Sequence, residues 1–317
     1  MAELTLAGSY TVRRIAAALI VVIGVAAATF LLLHAIPGDP ARQVLGLHAS
    51  AQAIAALRHR WGLDSSLGSQ FVRYIGDLVT LKLGDSFVYD LPVTTLIAQR
   101  IGETAALVAL ATVFAVTITL PLAAIAASHR DRVADHAARA VSVVGLGMPS
   151  FWLGIVLIEV FALRLRLLPV GGVGSGFLGG LEALLLPSLT AALAIVPLLV
   201  RSLRVGMLDV LGADFVAAER ASGLGELRVL VWHVARNALI PTLTLLGLNI
   251  AFLIGSTVIV ENVFALNGLG SLLVSSISSR DFPMVQAITL VLAVSVVAIN
   301  LATDLAAARL DPRVRLR

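Results

Sequence analysis

Six runs of apolar residues set the pattern of this chain, near 15–36, 104–127, 140–162, 183–200, 238–260 and 284–305. Each approaches the roughly 20 residues a helix needs to cross the hydrocarbon core of a bilayer. Ala, Leu and Val fill them without the two-residue alternation of a membrane barrel strand. The expected fold is therefore all-α and integral to the membrane, with six transmembrane helices. The fourth run contains Pro187 and Pro197, which a span tolerates only where neighbours re-satisfy the carbonyls that proline leaves free.

Between the fourth and fifth runs lies the longest hydrophilic interruption of the second half, 201–241. Arg201, Arg204, Arg220, Arg228 and Arg236 are interleaved there with Asp209, Asp214, Glu219 and Glu226. Met207, Val210, Leu211 and Phe215, then Leu227, Leu230, Val231 and Val234, recur among the charges at helical spacing. The pattern predicts two short amphipathic helices broken at Gly223-Leu224-Gly225. A segment of that kind lies at the membrane face and offers one side to something outside the bilayer. A second polar region, 37–100, follows the first run. IPGDP ends the first helix sharply, an amphipathic helix is expected near 51–61, and the remainder is too apolar for a solvated tail.

Composition fixes the class. Hydrophobic residues are 59% of the chain, mean hydropathy is +0.98 and charged residues are 13%, which excludes an ordinary soluble domain of about 45–50% apolar content. The net charge of +4 resembles a nucleic-acid signal until the basic residues are placed, because they sit at the ends of apolar runs. The N-terminal segment and the 128–139, 201–237 and C-terminal stretches hold 14 Lys and Arg residues, whereas the alternate short loops hold only Arg164, Arg166 and Arg280. By the positive-inside rule both termini and 201–237 are expected in the cytoplasm, with 37–100 as a small external domain between spans one and two. Cysteine is absent, so thiol and disulfide chemistry are excluded.

Candidate chemistry is sparse. The glycine-rich LLPVGGVGSGFLGG at 167–180 lacks the Gly-Lys-Ser/Thr ending of a phosphate cradle, and no such motif occurs elsewhere, so any ATP is hydrolysed by another polypeptide. His34, His48, His59, His129, His136 and His233 show no metal-ligand spacing. Glu103, Glu182, Glu261, Asp304 and Arg100 fall near span ends. Glu159 lies deeper and is read two ways, as a partner of Arg164 or Arg166 or as a pathway or proton group. Asn249, with Asn300 and Gln286, is a central polar group whose default role is a helix–helix hydrogen bond. A secondary carrier would show internal repeats with central ion sites, and none is visible.

Several motifs, in order, resemble the inner-membrane permeases of peptide-type ABC importers, specifically the first permease of oligopeptide and dipeptide systems. They are YTVRRI, FLLLHAIPGDPA, RWGLDSSLGSQFVRYIGDLVTLKLGDSF, GMPSFWLGIVL, LLPVGG, LLLPSLTAAL, TVIVENVFALNGLGSLLVSSISSRDFPMVQA and the closing LDPRVR. The resemblance implies an "EAA" coupling helix at 214–223, with Gly223 and Pro241 at that motif's glycine and proline. Asp214, Phe215, Arg220 and Ala221 complete the candidate ATPase-coupling residues, while Ala217, Glu219 and Ser222 depart from the subfamily pattern. It further implies a second permease, two ATPase subunits that use ATP and Mg, and an extracytoplasmic binding protein. This chain would carry no cofactor, metal or catalytic residue, and would reside in the bacterial inner membrane. Peptides are the leading solute, with nickel, glutathione and other small solutes used by close relatives. The implied division is 1–100 as first span plus external region, 101–305 as permease core and 306–317 as cytoplasmic tail.

Overall fold

A computed structural model describes residues 2–35, 38–46, 49–80, 82–172, 174 and 176–310. Pro37, His48 and the LDPRVR motif beyond Leu310 lie outside the described residues. Thirteen helices follow in chain order among the described residues, starting with α1 (Ala2–Ala35), α2 (Pro40–Leu45), α3 (Ala51–Arg60), α4 (Leu67–Val79) and α5 (Val93–Ser128). Next come α6 (Val133–Gly147), α7 (Ser150–Leu157), α8 (Gly176–Leu211), α9 (Asp214–Ala221), α10 (Glu226–Arg228) and α11 (Arg236–Val263), then α12 (Leu269–Ser278) and α13 (Phe282–Leu310). Two π-helical segments, Ile158–Arg164 and Val229–Ala235, continue α7 and α10. The chain divides into two compact units, 1–103 with 267–295 and 104–266 with 296–317.

Five helices are long and apolar enough to span a bilayer, within α1, α5, α8, α11 and α13. A sixth span exists if α6 and α7 count as one, and the two are bent by 109°. The third run, expected as a single helix over 140–162, is thus broken, and proline is the cause. Pro149 drives the residue before it out of helical backbone. Met148 is accordingly extended (φ −88°, ψ 122°), and a new helix starts at Ser150.

The second unit is built on α8. In its most apolar window 67% of residues are buried, the highest share among the spans, and it packs against α6, α7 and α11. Leu186, Ile195, Leu199, Leu203 and Met207 form its buried stripe at helical intervals, meeting Leu107, Leu253 and Phe264. Pro187 and Pro197 sit within an unbroken helix, enclosed by neighbours rather than by lipid. Gly145 allows the close approach of α6, since a Cβ there would lie 2.8 Å from Pro197 Cγ.

The first unit is held by capped short helices. Asp39 caps α2 by accepting from the Ala41 amide with Pro40 at the first position, while Ser50 and Ser66 cap α3 and α4. Buried Ser86 donates a hydrogen bond to Asp281, which also accepts from the amide of Phe87 at 3.0 Å. Val93, Leu96 and Ile97 pack there with Leu269, Leu272, Met284 and Ile288.

Candidate functional site

The 201–241 interruption is not a loop. Helix α8 runs on through its first eleven residues, because Leu203 and Met207 extend the buried stripe that starts in the membrane. Arg204 lies on that same stripe. Its guanidinium forms a two-pronged pair with Asp135 near the start of α6, Nε to Oδ1 at 2.5 Å and Nη2 to Oδ2 at 2.6 Å. Asp135 is fully buried and also accepts from the Asp131 amide at 3.0 Å, with Arg139 at 3.3 Å. Such geometry meets the demand that a buried carboxylate be hydrogen-bonded as well as paired.

After a turn at Gly212 and Ala213, α9 begins with Asp214, whose charge favours the positive helix start. Val216 is fully buried and joins the cluster that includes Met207, Val229 and Val234. One turn on, Glu219 Oε1 meets His233 Nδ1 at 2.6 Å. These two contacts pin one face of α9 to the π-helical segment Val229–Ala235. The adjoining exposed side carries Phe215, 43% exposed, then exposed Ala218 and Ser222 at intervals of three and four. Exposed Ala217 and Ala221 flank them, and Arg220 turns aside to Glu226 at 2.9 Å.

The end of α9 explains its glycine. The Gly223 amide donates to the Arg220 carbonyl at 3.0 Å and the Leu224 amide to the Glu219 carbonyl at 3.3 Å, a complete Schellman cap. That cap requires the left-handed backbone Gly223 adopts at φ +82°. No atom lies within 4 Å of a Cβ placed there, so a side chain would project into open space. Past the break, the chain rises through α10 and the π-helical segment into α11. Pro241, exposed, is the sixth residue of α11 and cannot donate to the Asn237 carbonyl.

The structure therefore gathers Asp214, Phe215, Arg220, Ala221 and Gly223 on one short helix and its cap, with Pro241 inside the helix that follows. Glu159 and Asn249 stand apart from them. Glu159 pairs with Arg164 at 2.8 Å, with both side chains substantially exposed, and Asn249 donates to the Leu245 carbonyl of its own helix at 2.7 Å. Asp135, Arg204, Glu219 and His233 were not singled out by sequence as anchors. Arg204 was detectable, because a charge on an apolar stripe that continues past it signals a buried partner. Asp135 and His233 left no such mark.

A family model described as "Binding-protein-dependent transport system inner membrane component" matches residues 119–316, and one for the N-terminal part of such components matches residues 8–111. The chain belongs to this family. It is a multi-pass inner-membrane permease subunit of a binding-protein-dependent ABC importer. Glutathione transport system permease proteins GsiC from Escherichia coli and Shigella dysenteriae are 37% identical to this permease over 309 residues, 98% of its length and 99% of theirs. The protein of that name from Salmonella paratyphi A is 36% identical over the same coverage. In fold, the permease is similar to a chain of the MetNI methionine ABC transporter in an inward-facing conformation, with TM-score 0.57 and 16% identity over 69% of this chain and 98% of that one.

Proposed function

We propose that α9 is the element through which this permease takes up the movement of separate ATPase subunits. The observation that carries the reading is its two-faced attachment. Val216 and the Glu219–His233 contact fasten one face to the second unit's core, while Phe215, Ala218 and Ser222 leave the other free to enter a groove. A short helix with a single large apolar side chain flanked by alanines suits helix-in-groove recognition. Closure of the ATPases would then reach α8 and α11 as a rigid-body shift, since α9 is held between them in the chain and cannot move without its anchors.

The wider assembly follows from the importer reading. A second permease completes the pathway, two ATPases hydrolyse ATP with Mg, and an extracytoplasmic binding protein delivers the solute. The permease itself performs no chemistry. Its basic stretches support an orientation with both termini and 201–237 in the cytoplasm and 37–100 outside. The glutathione permeases to which it is similar favour a short peptide, glutathione included, as the solute.

The test is purification of the tagged chain from native membranes, identification of the chains that accompany it, and ATP hydrolysis in reconstituted vesicles. A second permease and ATPase chains, with hydrolysis stimulated by a binding protein, are expected. A chain that purifies alone and shows no nucleotide-dependent partner sinks the proposal.

A further inference from the structure

A cleft of about 320 Å³ opens within the first unit, lined by α4, the segments 60–63 and 82–90, Phe30 and His34 of α1, and the start of α13. Its frame is rigid. Trp61 and Phe87 stack with ring centroids 3.8 Å apart and planes 8° from parallel. Gly62, at φ +69°, lets the Arg73 guanidinium lie against the backbone, where a Cβ would come within 2.2 Å of Nη1. The buried Ser86–Asp281 hydrogen bond ties down the segment bearing Phe87.

Four of the charges around this cleft do not find one another. Elsewhere in the same unit opposite charges pair readily, as Arg58 does with Asp39 and Asp64, and Arg60 with Asp90 at the cleft rim. Arg73, Lys82, Asp77 and Asp85 all line the cleft, two of each sign, yet among the described residues none forms an ion pair. Their charged atoms thus lie more than 4 Å apart, with Arg73 and Asp77 one turn apart on α4 and Lys82 and Asp85 in the segment after it. Burial pushes the Tyr74 phenol pKa up, so that side chain adds a neutral hydroxyl and leaves the balance of charge unchanged.

We infer that this cleft is a binding site for a small zwitterion with a free ammonium and a free carboxylate, an amino acid to short peptide in size. Each end of such a guest meets the sign that Arg73 and Lys82, or Asp77 and Asp85, leave unanswered. A uniformly charged ligand would be opposed by half of the lining, and an uncharged one would leave all four groups without partners. The stacked Trp61–Phe87 pair offers an apolar wall for the guest's body. The volume stands at the small end of the range for ligand sites, about 300–1,000 Å³, which sets aside long peptides. The inference rests on the short-peptide reading of the solute and adds a place where the permease itself would hold it, outside the α9 machinery.

The experiment uses the intact complex in lipid nanodiscs without binding protein. Retention of radiolabelled dialanine and glutathione is measured by scintillation proximity, with N-acetyl-dialanine amide and maltose as probes lacking the two charges. Saturable retention of the free peptides alone is expected, weakened roughly 10- to 100-fold by Arg73→Gln or Asp77→Asn, the scale of a lost charge-assisted hydrogen bond. Asp85→Asn gives an independent check from the segment after α4, and thermal melting with size-exclusion of each purified complex confirms that every variant is folded and assembled. Equal retention of the blocked peptide overturns the zwitterion site. Vesicle uptake of dialanine or glutathione is followed in parallel. Uptake without retention overturns the cleft alone, and absence of both removes the solute reading together with it.

Discussion

The two polar interruptions of this chain dispose of their charges in different ways. In the 201–241 stretch three charges close on partners, Arg204 on buried Asp135, Glu219 on half-buried His233 and Arg220 on exposed Glu226, while Arg201, Asp209, Asp214, Arg228 and Arg236 stay exposed. Outward on α9 are Phe215, small side chains, Asp214 and the exposed Arg220. Around the cleft of the first unit, aromatic side chains pair with one another, while Arg73, Lys82, Asp77 and Asp85 form no ion pair among the described residues. A region anchored by a buried ion pair suits the transmission of force through a fixed surface. One whose charges are kept open suits a guest that supplies the missing partners. Both read as hydrophilic loops in composition, and only the pairing separates them.

The largest effect is expected where pairing is most buried. Asp135→Asn leaves the Arg204 guanidinium without its partner in a site from which solvent is nearly absent, and breaking such a pair costs about 3–5 kcal/mol. Thermal melting of the purified complex checks it. Asp135→Leu combined with Arg204→Met removes both charges at once and is expected to recover much of the loss, because no buried charge is left unpaired and only the Asp131 amide and the part-exposed Arg139 lose an acceptor. A single variant that melts like the parent would show that the pair does not hold α8 to α6. Comparable substitutions at the cleft, Arg73→Gln among them, are expected to leave melting unchanged, which sharpens the contrast between the regions.

Next come the outward groups of α9. Phe215→Ala removes the one large apolar side chain on the free face, and anchors of that kind carry about 2 kcal/mol or more, roughly 30-fold in affinity. Pull-down of ATPase subunits under graded detergent and salt reads it, with melting of the permease unaffected. Gly223→Asp acts differently. Left-handed backbone costs a residue with a Cβ about 1–2 kcal/mol, less for Asp than for most, so the chain still assembles. Its new side chain points into the open space where a partner would sit. Complexes that form but whose ATP hydrolysis no longer answers to the binding protein are the expected result, and normal stimulation would remove α9 from the coupling role.

Much of the architecture was legible because membrane spans announce themselves by length and hydropathy. The break at Gly223 was legible too, since two glycines interrupt an amphipathic period there. The bend between α6 and α7 was not read, although Pro149 carried its signal; a continuous apolar run masked it. The inner face of α9 was hidden for a different reason. Val216 is one valine among many, and the partner of Glu219 lies fourteen residues on, across a π-helical segment that shifts the helical register. The Arg204–Asp135 pair joins positions 69 apart, which no local periodicity reports. Within the first unit, sequence showed mixed charge but not that the charges stay apart, because that depends on the backbone of Gly62 and the Ser86–Asp281 bond.

A smaller effect is expected at the half-buried contact between Glu219 and His233. His233→Ala leaves Glu219 partly enclosed with one oxygen, Oε2, already lacking a hydrogen-bond partner among the described residues. The loss is about 1 kcal/mol, in keeping with a pair that solvent still reaches. Melting is therefore nearly unchanged, and the informative readout is coupling. If α9 moves with its anchors, loosening one of them lowers the number of solute molecules carried per ATP while the ATPases stay bound. An unchanged ratio would mean that Val216 alone fixes the helix.

The smallest effect is expected at Glu159, where sequence left two roles open. A pathway or proton group in a membrane protein lies enclosed, because burial is what gives its charge leverage. The Glu159 side chain is 47% exposed and Arg164 is 73% exposed, and they sit five residues apart on one π-helical segment. Exposed pairs of that kind contribute at most about 1 kcal/mol and often nothing measurable. Glu159→Gln is accordingly expected to leave melting within about 0.5 kcal/mol of the parent and solute uptake unchanged from pH 6 to 8. Uptake that collapses in the Gln variant, or that loses a pH dependence the parent shows, would move Glu159 out of the surface pair and into the pathway. It would also break the contrast between the two polar regions, since a functional charge would then lie in neither of them.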